Sequence, residues 1–113
     1  MLKQQYRLKK KYQFNYTYKS GQTQGAKHLL ICYTKSKNKC VKIGLSVTKK
    51  VGKAFMRNRI KRRIRAALSP ILERIKPNFN LIVIARSNIT DATFAEIEKD
   101  LNFCLTKAGL WRD

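Results

Sequence analysis

Residues 41–68 read VKIGLSVTKKVGKAFMRNRIKRRIRAAL, and within this stretch the hydrophobic period changes. Val41, Ile43, Leu45 and Val47 alternate with Lys42, Gly44, Ser46 and Thr48, the period of two that marks a strand with one buried face. Further on, at about 100° per residue, Met56, Ile60, Ile64, Ala67 and Leu68 share an arc of roughly 120°. Asn58, Lys61, Arg62 and Arg65 fall on the opposite arc, with Arg57, Arg59 and Arg63 on its flanks. The pattern predicts a strand over 41–48 and a helix over 52–68, stopped by Ser69-Pro70. One helix face enters a core while the other turns guanidinium groups outward. The second face of the strand is small and polar, with no bulky side chain to block an approaching ligand.

Outward from this unit the chain divides by the same logic. HLLICYTK (28–35) reads as a strand, joined to 41–48 as a hairpin through the basic turn SKNK (36–39). Residues 22–27 read as a polar Gln/Gly loop. FNLIVIAR (79–86), after Pro77-Asn78, is apolar enough to be central in a sheet. LKKKYQFNYTYK (8–19) reads as a helix stopped at Ser20-Gly21, although the alternation of Tyr12, Phe14, Tyr16 and Tyr18 also fits a strand. Thr93 and Glu96 form a capping-box signature ahead of Phe94, Ile97, Leu101, Cys104, Leu105 and Ala108 at helical spacing. The expected class is α+β: a single domain over residues 1–113, its sheet covered by helices on one side.

Charge narrows the function. The 113 residues carry 26 Lys/Arg and 6 Asp/Glu, a formal charge of +20, and 43% are hydrophobic. Twenty of the cations and none of the acids lie in residues 1–72. A field of one sign repels itself in the compact state, so a polyanionic partner is its natural complement. A hydrophobic share this high excludes a disordered basic tail. No apolar run approaches the roughly 18 residues of a membrane span, and no apolar segment follows the basic N-terminus. Cys32, Cys40 and Cys104 show no metal-ligand spacing and read as reduced thiols in a cytoplasmic protein, with Cys32 and Cys104 in apolar patterns. His28, within an apolar strand pattern, reads as structural.

The chemistry open to these residues is binding. Arginine suits phosphate because its planar fork donates two parallel hydrogen bonds and stays charged. Asn58 adds a donor and an acceptor for a sugar or a base edge. Phe14, Tyr18 and Tyr33 lie near basic residues and offer rings for unpaired bases, although aromatics at such spacing also serve as core. No paired carboxylates for metal-assisted phosphodiester cleavage exist in residues 1–72, so the chain alone reads as non-catalytic.

GLSVTKKVGKAFMRNRIKRRIR (44–65) resembles the bacterial ribonuclease P protein component family, whose hallmark is an RNR helix after a GxSxxKKxGxAxxRN segment. The resemblance extends less sharply to LKKKYQFNYTYKSG, LICYT, LIVIAR and TFAEIEKDL. It implies an αβββαβα fold with a left-handed crossover, and so three strands before the RNR helix where the pattern shows two. It also implies a subunit of a ribonucleoprotein whose RNA, with Mg²⁺, removes the 5′ leader of precursor tRNA. By position, Lys49, Lys50, Lys53, Arg57, Asn58, Arg59, Lys61, Arg62 and Arg65 correspond to the surface for the catalytic RNA. Phe14, Tyr18, Tyr33, Ser46 and Thr48 correspond to the leader cleft. Expected partners are ribonuclease P RNA and precursor tRNA, with no membrane and no obligate protein partner. A ribosomal or structural RNA-binding protein is the competing expectation: it explains the charge and leaves the 44–65 match unexplained.

Overall fold

The computed structural model describes residues 3–112. Its elements are α1 (Lys11–Ser20), β1 (Gln22–Gly25), β2 (Leu29–Lys35), β3 (Lys42–Ser46), α2 (Ala54–Leu68), β4 (Phe79–Ala85) and α3 (Phe94–Ala108). The four strands form one sheet in the order β1-β2-β4-β3, antiparallel except for the β3–β4 pair. Helix α2 is the crossover between those parallel neighbours.

The order corrects the expected hairpin between 28–35 and 41–48. Strands β2 and β3 are separated by β4, which is buried along most of its length and takes a partner on each side. Residues 36–41 step across its start: the Ser36 amide donates to the Asn78 carbonyl at 2.9 Å, and Asn38 Nδ2 donates to Asn80 Oδ1 at 2.7 Å. Two strand spacings are about 10 Å, well within the reach of six residues.

A second correction falls on 22–27. Gln22–Gly25 is a strand, pairing Gln22 with Tyr33 through Gly25 with Leu30. It supplies the third strand before the helix. At the sheet edge it has little to bury, and backbone hydrogen bonds hold it without an apolar pattern.

Helices cover both faces, not one. Leu29, Ile31, Ile43, Leu81 and Val83 join Ile60, Ile64 and Leu68 of α2 and Ile97, Leu101 and Leu105 of α3 in the larger core. Cys32 and Ile82 point the other way and pack with Leu8 and the half-buried Phe14, under α1. The helix starts later than the pattern implied, because Leu8 is spent on the sheet: its amide donates to the Ile43 carbonyl at 2.9 Å and closes the free edge of β3. No helix among the described residues is long and apolar enough to cross a membrane.

Candidate nucleic-acid interface

Helix α2 is held by Ile60, Ile64, Ala67 and Leu68, all buried. Its opposite side carries Asn58, Arg59 and Arg62, all exposed. Lys61 and Arg65 turn toward α1, and Arg63 turns toward α3, where Nη1 donates to the Ala92 carbonyl at 3.4 Å. Arg57 is half-buried, and its Nη1 donates to the Gly52 carbonyl at 3.1 Å. None of the described α2 cations has a carboxylate within ion-pair distance.

The turn ahead of α2 displays more cations. Val51 is buried, and its amide donates to the Thr48 carbonyl at 3.0 Å, which leaves Lys49, Lys50 and Lys53 outside. Gly52 has φ +150°, a conformation that side chains resist, and a Cβ there would lie 3.3 Å from Met56. The glycine lets the chain turn from strand into helix without displacing Met56.

Beside α2, the sheet face under α1 opens into a pocket of about 210 Å³ lined by Leu8, Phe14, Gly44, Lys61 and Arg65. Gly44 makes it possible, since a Cβ at that position would sit 2.5 Å from the Phe14 ring. Two residues along, Ser46 pairs with Ile84 on the same face. Beyond it Leu30 and Ile84 floor a wider hollow of about 630 Å³, rimmed by Thr48, Lys49, Lys50 and Arg86. Apolar floor and cationic rim together suit a single strand, whose bases need a surface and whose phosphates need charge.

The structure thus brings Phe14, Ser46 and Thr48 to one sheet face, with Tyr18 one helical turn from Phe14 and 45% exposed. Tyr33 does not join them. Cys32 faces α1, so its neighbour faces the other way: Tyr33 packs against the larger core and Phe79, ring centroids 6.3 Å apart, and its hydroxyl donates to Gln22 Oε1. Alternation along β2 was the signal that separates Tyr33 from Phe14. Sequence reasoning missed Arg86, whose Nε donates to the Ala26 carbonyl at 2.9 Å, and the floor residues Leu30 and Ile84. The apolar strand pattern of 79–86 ended on that arginine and was its only hint.

None of the described acids lines either hollow or pairs with a cation of α2. Asp100 on α3 accepts from the His28 backbone amide at 2.9 Å and lies 2.8 Å from its Nδ1, both through Oδ2. This buried pair ties the β1–β2 connection to α3, a structural role for His28. Burial pushes the thiols of Cys32 and Cys104 up, Cys104 to about 11 with Asp100 contributing, so both stay protonated.

Fold and surface together define a class: a small α+β protein that buries one side of a basic helix and offers the other, with an adjoining cleft, to a polyanion. The ribonuclease P family model matches residues 2–109. The ribonuclease P protein component of Oceanobacillus iheyensis is 40% identical over 99% of this chain and 93% of its own length. That of Clostridioides difficile is 43% identical over 83% of each. The Staphylococcus aureus RNase P protein structure superposes with a TM-score of 0.85 at 32% identity, covering 95% of this chain and 98% of that one. The chain belongs to the ribonuclease P protein family, and its role is that of the protein subunit in tRNA 5′ processing.

Proposed function

We propose that α2 and the preceding turn bind the catalytic RNA, through Lys49, Lys50, Lys53, Arg57, Asn58, Arg59, Lys61, Arg62 and Arg65, while the face beneath α1 holds the 5′ leader of precursor tRNA. The observation that carries this reading is a helix whose cations lack carboxylate partners, set beside an apolar cleft that two of those cations, Lys61 and Arg65, also line. Phe14, Tyr18, Ser46 and Thr48 are the leader residues this arrangement supports. Tyr33 meets a leader only if the strand runs past the β1 edge of the sheet onto the other face.

The protein contributes affinity and positioning. Neutralised phosphates allow two polyanions to approach, and released counterions make the association steeply salt-dependent. Bond cleavage belongs to the RNA and its Mg²⁺. Among the described residues no group of three or more His, Cys, Asp or Glu is placed to hold a metal ion. The cytoplasm, where the RNA and its substrate are made, is the compartment this reading requires.

Reconstitution tests the reading. The protein is mixed with a bacterial ribonuclease P RNA and precursor tRNA at low Mg²⁺, and leader release is followed. Cleavage that needs both components is the expected result. Cleavage by protein alone would overturn it, and tight RNA binding without any effect on cleavage would favour a purely structural RNA-binding role.

A further inference from the structure

Phe55, in the first turn of α2, is 69% exposed, the highest value among the exposed large hydrophobic residues of the described chain. Of the five other exposed rings, two have company: Tyr12 lies under the Lys10 ammonium and Phe103 under that of Lys107, each 5.9 Å from the ring centroid. Phe55 has no such ring or cation contact among the described residues. It is not a misplaced core residue either, because at about 100° per residue it stands diametrically opposite the fully buried Ile64.

Its surroundings indicate what covers it. Asn58, Arg59 and Arg62 follow at three, four and seven residues, so all four side chains fall within an arc of about 100°. An apolar protein partner would have to bury those guanidinium groups without counter-charge, at a cost of several kcal/mol per ion. A nucleic acid supplies phosphates for the arginines and a flat apolar face for the ring. We infer that Phe55 stacks on an unpaired base of the catalytic RNA, anchoring the end of α2 while Arg59 and Arg62 hold the flanking phosphates. This inference rests on the reading that α2 faces that RNA, and it adds a base contact to what would otherwise be phosphate binding alone. Stacking tolerates any base but requires it to be unpaired, so α2 would select a loop, bulge or junction over a continuous duplex.

The test measures affinity for a bacterial ribonuclease P RNA, as a function of salt, for the wild-type chain and for Phe55→Ala, Phe55→Trp and Phe103→Ala. Phe55→Ala is expected to lose roughly ten-fold or more in affinity, with the slope of log affinity against log salt unchanged, since no phosphate contact is removed. Phe55→Trp should bind like the wild type, and its added fluorescence, read against the native Trp111, should be quenched on binding. Phe103→Ala should change nothing. Thermal melts of Phe55→Ala should match the wild type, because the ring packs against nothing it would leave empty. Binding by Phe55→Ala within two-fold of the wild type would overturn the inference. A changed salt slope would also overturn it, by making Phe55 a spacer for the arginines. If the wild-type chain fails to bind the RNA, the reading beneath it fails as well.

Discussion

Helices α2 and α3 have the same length, 15 residues, and both bury an apolar stripe in the same core. They differ in how they end. At α3 the Thr93 hydroxyl accepts from the Glu96 amide at 3.1 Å, and the Glu96 carboxylate accepts from the Thr93 amide at 2.9 Å. Gly109, at φ +70°, closes the other terminus by donating to the carbonyls of Leu105 and Thr106. Helix α2 has no side-chain cap at Lys53, no acid in its first turn, and runs directly into the turn of Ser69–Arg74. One helix satisfies its own polar ends and complements its own dipole. The other is left with a positive N-terminal end and uncompensated cations, which is the state a bound polyanion completes. Two elements of equal size thus differ in what they leave unsatisfied at their ends and surface.

If α2 owes its place to packing rather than to local signals, core truncations should damage both helices alike. Ile64→Ala and Leu101→Ala remove side chains that are 0% and 1% exposed and should each cost about 2–5 kcal/mol in chemical denaturation. A much smaller loss for Ile64→Ala than for Leu101→Ala would break the comparison, since α2 has no cap of its own to make up for lost packing.

Removing charge should separate the helices. Arg59→Ala with Arg62→Ala should weaken RNA binding on the order of 100-fold and lower the salt slope by roughly 1.5. The matching change in α3, Lys99→Ala with Lys107→Ala, should leave both quantities unchanged. Neither pair should lower the melting temperature appreciably, because exposed charges contribute little to stability and relief of self-repulsion offsets what is lost. Equal losses from the two pairs would mean that binding reads net charge rather than a surface.

The cap offers the converse, an effect confined to α3. Thr93→Ala should cost about 1 kcal/mol of stability and leave RNA affinity at the wild-type level, as measured by melting and binding on the same preparation.

How much of this could be read in advance follows from the range of each interaction. The capping box, the strand expected over 79–86 and the strand-to-helix switch at 41–68 rest on neighbours within a few residues, and each appears within two residues of the bounds the pattern gave. Strand pairing is set by distant partners, so β3 was assigned to β2 and belongs beside β4. The apolar run of β4 already contained the correction, because a strand buried on both faces takes a neighbour on each side. Strand β1 carried no apolar signal, because the edge it occupies asks for none. The family resemblance supplied the count of three strands and the residue types of the cleft. It did not supply the face of Tyr33, which depends on the parity of one position in β2. Phe55 was passed over for a different reason: an apolar residue in an amphipathic helix is ordinarily counted toward the core, although the helical period already sets it opposite Ile64 and so on the outer face.

The smallest expected effect concerns the Glu96 carboxylate. Its hydrogen bond from the Thr93 amide, and after that the bond from the Thr93 side chain, hold its pKa below the usual 4.5. The unfolded chain therefore takes up this proton first. The stabilisation that follows is present in full above about pH 4.5 and is lost as pH falls through the lower folded value. The quantity to measure is the difference in melting temperature between the wild type and Glu96→Gln from pH 6 down to pH 3, which isolates this one carboxylate. That difference should be largest near pH 6 and shrink as the pH falls. Thr93→Ala retains the backbone amide, the larger of the two causes, and should keep most of the dependence that Glu96→Gln removes. A difference that instead grew toward low pH would mean the carboxylate is better held protonated, and α3 would then lack the charge complement at its N-terminus that distinguishes it from α2.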